Sequence, residues 1–140
     1  MSVDPRPLLL DTCAILFIGN GSDVTDKSDQ EIGRASSEQR LYISPISAWE
    51  IGIGVAKRKL ILPVDPLEFF DRFAQRVGAR LIALSPEILV RSCMLPGDIH
   101  SDPMDRILVA SARMLEMILV TRDKPILSYG REGHVRTLAC

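Results

Sequence analysis

The chain has 140 residues, of which 46% are hydrophobic and 25% are charged, and its formal net charge is −1. This length supports one hydrophobic core with little room for a second, and the composition excludes a disordered or fibrous protein. No apolar stretch approaches the length of a transmembrane helix. The three cysteines are widely spaced and form no CxxC motif, so we expect reduced thiols in a cytoplasmic protein.

The hydrophobic pattern predicts strands that alternate with helices along the chain. It predicts a buried strand at residues 8–10 and a helix at 12–18. Residues 23–39 are predicted to form a loop followed by an exposed helix. A Ser or Asp directly before Pro marks the start of four later helices, at Ser44-Pro45, Asp65-Pro66, Ser85-Pro86 and Asp102-Pro103. Further strands are predicted at residues 41–44, 80–84, 117–121 and 134–138. This alternation favours an α/β sandwich with a mainly parallel sheet.

Five acidic residues occupy positions that meet at one edge of such a sheet. Asp11 and Asp123 follow strands, whereas Glu50, Asp102 and Asp105 lie in the opening turns of helices. Parallel strands end where their helices begin, so all five carboxylates are expected at the same edge. Capping of helices is an alternative explanation for the three helix acids, but it explains the two strand-end acids poorly. Clustered carboxylates repel one another without a cation, and such oxygen ligands suit Mg²⁺ or Mn²⁺.

The remaining reactive side chains do not suggest a competing site. His100 and His134 stand apart without zinc-ligand spacing, and we interpret both as solvated or core histidines. Cys13 lies near the predicted acidic site, but the sequence places no histidine to activate its thiol. The acidic cluster therefore carries the functional prediction.

Four blocks of this sequence resemble PIN-domain ribonucleases, and most closely the VapC-like toxins of type II toxin–antitoxin pairs. The blocks are LLLDT at residues 8–12, ISPISAWEI at 43–51, the segment 95–110 with Asp-Pro-Met-Asp-Arg at 102–106, and VTRD at 120–123. They follow the order expected for the family, and the resemblance extends from about Leu8 to Leu138. It implies a single PIN-like domain over residues 1–140, folded as a three-layer α/β/α sandwich.

The resemblance also implies an activity and its residues. The expected activity is that of an endoribonuclease dependent on Mg²⁺ (or Mn²⁺) that cleaves tRNA, rRNA or mRNA. The positions that match the catalytic and metal-binding acids of the family are Asp11, Glu50, Asp105 and Asp123, with Asp102 as an accompanying acid that is either a ligand or a helix cap. The supporting positions are the hydroxyl residues Thr12, Ser47 and Thr121 and the basic residues Arg106 and Arg122. Of the two arginines, we expect one to reach a phosphate and the other to pair with a carboxylate.

Partners are likewise implied by the resemblance. Besides the RNA substrate, it predicts a cognate antitoxin whose C-terminal segment lies across the active-site groove, and it predicts a homodimer. The Trp49 helix and the aromatic side of residues 65–77 are candidate surfaces for that segment, and the alternative is that these aromatic side chains belong to the core. No membrane association is expected.

The sequence is also compatible with three other interpretations of its function. A phosphohydrolase of the haloacid-dehalogenase kind requires Asp-x-Asp after the first strand, where Cys13 stands in place of the second Asp. A phospho-receiver domain would use an acidic pocket with a Lys such as Lys124, but it leaves Glu50 and Asp105 unexplained. A PIN fold that binds RNA or a partner without cleavage is the third.

Overall fold

The computed structural model describes residues 4–140, so the first three residues of the predicted domain 1–140 lie outside it. Within this range the chain forms five strands and seven helices. In chain order they are β1 (Leu8–Leu10), α1 (Thr12–Gly19), α2 (Asp26–Ser37), β2 (Leu41–Ile43), α3 (Pro45–Ala56), α4 (Pro66–Val77), β3 (Arg80–Leu81), α5 (Pro86–Ser92), α6 (Pro103–Met114), β4 (Ile118–Thr121), α7 (Lys124–Arg131) and β5 (Arg136–Ala139).

The strands form one sheet in the order β3-β2-β1-β4-β5, and every neighbouring pair is parallel. The predicted mainly parallel sheet is therefore confirmed. β1 lies at the centre, with Leu10 in register with Val120 of β4. The chain passes to one side of β1 for β2 and β3 and then to the other side for β4 and β5. Such a switch point opens a crevice at the carboxyl ends of β1 and β4, where α/β sheets bind ligands.

Two hydrophobic clusters cover the two faces of the sheet. Leu8 and Leu10 pack into one cluster with Phe70 and Phe73 of α4, whereas Leu9 belongs to a second cluster that includes Leu108 of α6. Alternate residues of a strand point to opposite faces, so a strand with only apolar residues serves both layers. The arrangement is the predicted α/β/α sandwich.

The helix starts follow the predicted chemistry. Ser44, Asp65, Ser85 and Asp102 each accept a hydrogen bond from a backbone N–H of the helix that follows, and Pro occupies the first helical position. None of the helices within residues 4–140 has both the length and the apolar character needed to cross a membrane.

Two predictions about elements were incomplete. α7 was not predicted, although Asp123 caps it and Pro125 stands in its first turn. The predicted strand at 80–84 is shorter, since only Arg80–Leu81 pairs with β2 at the sheet edge.

Candidate active site

The end of β1 places a carboxylate inside the protein. Asp11 is only 2% exposed, and its backbone N–H donates to the Val120 carbonyl of β4. One of its carboxylate oxygens accepts a 2.7 Å hydrogen bond from the Ala14 N–H and caps α1. Burial raises the pKa of Asp11 from 3.8 to about 6, against the hydrogen bonds from Thr121 and Ala14, and the charge of Asp123 adds to the rise. Burial disfavours the charged form of a carboxyl group.

The start of α6 contributes two further acids. Asp102 Oδ1 accepts hydrogen bonds from the backbone N–H groups of Met104, at 2.9 Å, and Asp105, at 3.3 Å. Asp105 lies one turn into the helix, where burial raises its pKa from 3.8 to about 7 and the negative charges of Asp102 and Asp123 raise it further. These mutual effects show that the acids of β1, α6 and the end of β4 form one electrostatic cluster.

α3 brings Glu50 to the same cluster. Burial raises its pKa, and the charge of Asp102 acts in the same direction. Its Oε1 atom is buried without a hydrogen-bond partner among the described residues. The neighbouring Thr12 hydroxyl donates to Ser47 Oγ at 2.9 Å, so α1 and α3 are joined by buried side chains beside the acids. Thr12 and Ser47, the two hydroxyl residues named from the resemblance, are both buried.

Asp123 completes the set after β4. Its Oδ2 accepts a 3.0 Å hydrogen bond from the Ile126 N–H, and its own N–H donates to the buried Thr121 hydroxyl at 3.0 Å. The expectation that helix capping would not account for Asp11 and Asp123 was wrong, because both residues cap helices. Capping alone does not require burial of Asp11 or its closeness to the other carboxylates.

The two predicted arginines have mainly structural contacts. Arg106 donates from Nε to the Ser92 carbonyl at 2.9 Å and from Nη1 to the Ile99 carbonyl at 3.4 Å. Arg122 stacks on Phe17, with Cζ 3.8 Å from the ring centroid, and donates to the Asp23 carbonyl at 3.1 Å. Both guanidinium groups therefore contact backbone carbonyl oxygens, where the sequence analysis expected one carboxylate pair.

His100 lies in this cluster. The prediction of an isolated solvated or core histidine was therefore wrong for this residue. Its Nε2 atom is 3.3 Å from Asp105 Oδ2 and 3.5 Å from Asp123 Oδ2. His100 stands two residues before Asp102, so its closeness to the acids of α6 could be predicted from the sequence. Its contact with Asp123 depends on the fold. His134 is partly exposed, and its ring stacks on Tyr129 at 4.5 Å between centroids.

The donors of this cluster fit a hard divalent cation. Partly buried carboxylates that repel one another gain from a shared positive charge, and Glu50 Oε1 accepts no hydrogen bond from residues 4–140. One ligand atom from each of His100, Asp105 and Asp123 lies within 4.8 Å of the other two. Carboxylate oxygens in a half-open site are the ligands that Mg²⁺ and Mn²⁺ take in proteins.

Comparison with known proteins identifies the family of this chain. The PIN domain family matches residues 8–132. Ribonuclease VapC22 of Mycobacterium tuberculosis (strain ATCC 25618 / H37Rv) is 25% identical over 105 residues, which cover 71% of this chain and 79% of that protein.

Solved structures show the same fold. VapBC2 from Rickettsia felis, bound to a DNA fragment from its promoter, aligns with a TM-score of 0.70 and 18% identity over 96% of this chain and 99% of that chain. DNA-bound VapBC from Salmonella typhimurium aligns with a TM-score of 0.67 and 14% identity over 96% and 98% of the two chains. At these identities the similarity concerns the fold alone. Because the family match spans most of the sequence and the fold agrees with it, the chain belongs to the PIN-domain family.

Proposed function

We propose that this protein is a metal-dependent endoribonuclease whose catalytic residues are Asp11, Glu50, Asp105 and Asp123. The observation that carries the proposal is the convergence of these carboxylates at the ends of β1 and β4, with the pKa of Asp11 raised to about 6 and that of Asp105 to about 7. The similarity to a ribonuclease of the VapC type supports RNA as the substrate class. The RNA is tRNA, rRNA or mRNA.

The four carboxylates would hold one or two Mg²⁺ or Mn²⁺ ions, with Asp102 beside them. A bound divalent ion supplies an activated water and positive charge for in-line attack on a phosphodiester. The chain's own contribution is to hold the acids rigidly. Asp11 and Asp123 are fixed by N–H groups of α1 and α7, and the buried Thr12–Ser47 pair fixes α1 against α3 near Glu50. Fixed ligands keep the reacting groups in place without reorganisation.

The same charges control access of the substrate. An ion-free pocket with several carboxylates repels the phosphates of RNA, whereas neutralised carboxylates admit them. RNA binding and cleavage are thereby linked to the same cation. We propose that the chain acts on RNA in the cytoplasm as a single PIN domain.

We further propose that the protein is the toxin of a toxin–antitoxin pair, since the solved structures with this fold include two VapBC complexes. A groove of about 440 Å³ runs between α3 and α4. Trp49, 58% exposed, and Leu67, 62% exposed, lie on it, whereas Phe70 and Phe73 are buried in the core. An amphipathic segment of the antitoxin would cover the exposed pair. A homodimer is the proposed assembly.

The test is cleavage of a mixed pool of tRNA, rRNA and mRNA by antitoxin-free protein, with Mg²⁺ or Mn²⁺ and with EDTA. We expect RNA cleavage that requires the metal. The cleavage rate should fall at least about 100-fold in Asp11→Asn and Asp105→Asn, because each variant lacks a carboxylate that holds the ion in the transition state. The matched control is Asp65→Asn, which keeps a capping side chain on α4. Folded wild-type protein that cuts no RNA in any pool would overturn the proposal in favour of a binding module.

A further inference from the structure

His100 presents a nitrogen to two of the proposed catalytic acids. It lies in the turn before α6, where its side chain is 29% exposed. Its Nε2 atom is itself buried and lies 3.3 Å from Asp105 Oδ2 and 3.5 Å from Asp123 Oδ2. Neither contact has the geometry of a hydrogen bond. The imidazole therefore faces the gap between two carboxylates and is not aligned on either one.

The spacing of these three atoms is that of ligands on one ion. Nε2, Asp105 Oδ2 and Asp123 Oδ2 all lie within 4.8 Å of one another. Two donors that each lie roughly 2.0–2.4 Å from a shared cation are separated by at most about twice that distance. A hydrogen-bonded ion pair would align an N–H on one carboxylate oxygen, whereas Nε2 lies between two carboxylates without a hydrogen bond to either.

The turn that carries His100 is tied to the fold from behind. Arg106 of α6 donates to the Ile99 carbonyl at 3.4 Å and to the Ser92 carbonyl at 2.9 Å. The backbone N–H of Asp102 points at His100 Nδ1, with a distance of 3.4 Å. The Arg106 contacts hold the backbone on the N-terminal side of His100 against α6, and Arg106 is therefore a positioning residue for this turn.

We propose that His100 is a nitrogen ligand, through Nε2, of the metal ion held by Asp105 and Asp123. This inference rests on the proposed function, because it concerns the same ion. A ligating Nε2 must present its lone pair, so the single proton of the neutral ring moves to Nδ1 by exchange with water. The long contact from the Asp102 N–H to Nδ1 is given up in that step, at small cost for a distance of 3.4 Å.

A nitrogen ligand changes which metal the site prefers. Mg²⁺ takes oxygen ligands almost exclusively, whereas imidazole favours transition metals. Mixed ligation by one imidazole and two or more carboxylates therefore shifts the preference from Mg²⁺ towards Mn²⁺. An all-carboxylate site lacks that bias, so the ratio of the two affinities reports on His100.

The experiment measures the bound ion directly and does not depend on RNA cleavage. Tag-free protein is loaded with one equivalent of Mn²⁺, and electron spin-echo spectroscopy records the coupling of ¹⁴N to the ion. Wild type is compared with His100→Gln and His100→Asn, and with His134→Gln as the matched control, since the chain has only two histidines. Calorimetry gives the Mn²⁺ and Mg²⁺ affinities of each variant, and circular dichroism confirms that each is folded.

We expect strong imidazole ¹⁴N coupling in wild type and His134→Gln and none in either His100 variant. The Mn²⁺ affinity should fall on the order of tenfold or more without His100, because even partners of metal ligands contribute 10–100-fold, while Mg²⁺ affinity changes less. Bound Mn²⁺ without ¹⁴N coupling in wild type would overturn this inference and leave the carboxylate site intact. Wild type that binds no Mn²⁺ and no Mg²⁺ would overturn both the metal-dependent function and the role of His100.

Discussion

Asp102 shows how one carboxylate can serve a helix and a site at once. Its Oδ1 accepts two backbone N–H groups at the start of α6, and its charge raises the pKa of Asp105. We propose that capping is the principal role of the exposed Asp102, since its Oδ1 accepts two N–H groups where Asp11 and Asp123 each accept one, and that Asp105 is the ligand of this turn. Substitutions that separate the cap from the charge can test this division.

We expect Asp102→Ala to lower the free energy of unfolding by about 1 kcal/mol, whereas Asp102→Asn should retain most of it because Asn is an equally good cap. Urea denaturation measures both. Mn²⁺ affinity should stay within about tenfold of wild type in Asp102→Asn and be lost in Asp105→Asn. If Asp102→Asn instead binds Mn²⁺ as poorly as Asp105→Asn does, Asp102 is a ligand.

The raised pKa values of Asp11 and Asp105 make the stability of the metal-free protein depend on pH. Both groups have folded pKa values, about 6 and about 7, above the ordinary value of 3.8. Between these values the folded state binds more protons than the unfolded state, so the free energy of unfolding falls as the pH rises from about 4 to about 7. A difference of one unit between the folded and unfolded pKa corresponds to about 1.4 kcal/mol, and solvent screening reduces the contribution of the partly exposed Asp105, so we expect a loss of roughly several kcal/mol over this window in EDTA.

Thermal unfolding between these pH values, with EDTA and with Mn²⁺, measures this loss. Mn²⁺ should remove the fall, because an ion that binds only the folded carboxylates stabilises them in the charged form. Asp105→Asn should flatten the profile in EDTA, whereas the exposed capping variant Asp65→Asn should not. A flat wild-type profile contradicts the burial of these carboxylates.

At the scale of elements, α7 and β5 depend on a close approach that only glycine permits. A Cβ on Gly130 of α7 would lie 2.8 Å from Thr137 Cγ2 and 3.1 Å from the Val135 carbonyl oxygen. The carbonyl belongs to the backbone and cannot rotate away. Gly130→Ala should therefore move α7, the helix that Asp123 caps, off the last strand.

We expect Gly130→Ala to lower the free energy of unfolding by about 1–3 kcal/mol, as overpacking does. Gly33→Ala is the matched control, because nothing lies within 4 Å of a Cβ at this helical position. It should raise stability by about 0.5–1 kcal/mol, the helix propensity difference between the two residues. Equal effects of the two substitutions in urea unfolding would show that the contact with β5 relaxes freely.

The same elements show what the sequence reveals and what it does not. Helix starts at Ser44, Asp65, Ser85 and Asp102 could be predicted because a capping side chain directly before Pro is a local signal. α7 was missed because Lys124 separates Asp123 from Pro125, and because Asp123 was interpreted only as a site acid. β3 ends at Leu81 because its partner β2 ends at Ile43, where Ser44 begins the cap of α3, and residues 80–84 contain no signal of that limit.

The candidate site likewise includes residues whose place the sequence predicts and residues whose place it does not. Parallel strands and their helices bring their termini to one edge whatever the loop lengths are, so the convergence of Asp11, Glu50 and Asp105 follows from the order of elements. The place of His100 does not, because it depends on the turn that Arg106 holds. The exposure of Trp49 likewise depends on how α3 and α4 pack on either side of the groove. The apolar pattern of α3 does not predict this exposure.

At the scale of the whole molecule, apolar side chains remain exposed around α5 and the sheet edge. Val90 of α5 is 54% exposed, Met94 just after α5 is 67% exposed, and Leu81 of β3 is 57% exposed. We propose that these side chains form one interaction patch, since clustered exposed apolar side chains are typical of interaction surfaces. Pairing of this patch with its copy in a second chain would give the proposed homodimer, in which the same residues contribute from both sides.

We expect wild-type protein to sediment at twice the 15.5 kDa chain mass at micromolar concentration. Val90→Glu and Met94→Glu should each weaken the dimer at least about tenfold, because an unpaired charge would be buried at the interface. Ile61→Glu, in the exposed link between α3 and α4, should leave it unchanged. Since the acids of the site all come from one chain, the monomeric variants should retain metal binding and RNA cleavage. Loss of cleavage on dissociation, with metal binding intact, would instead mean that the second chain completes the RNA-binding surface.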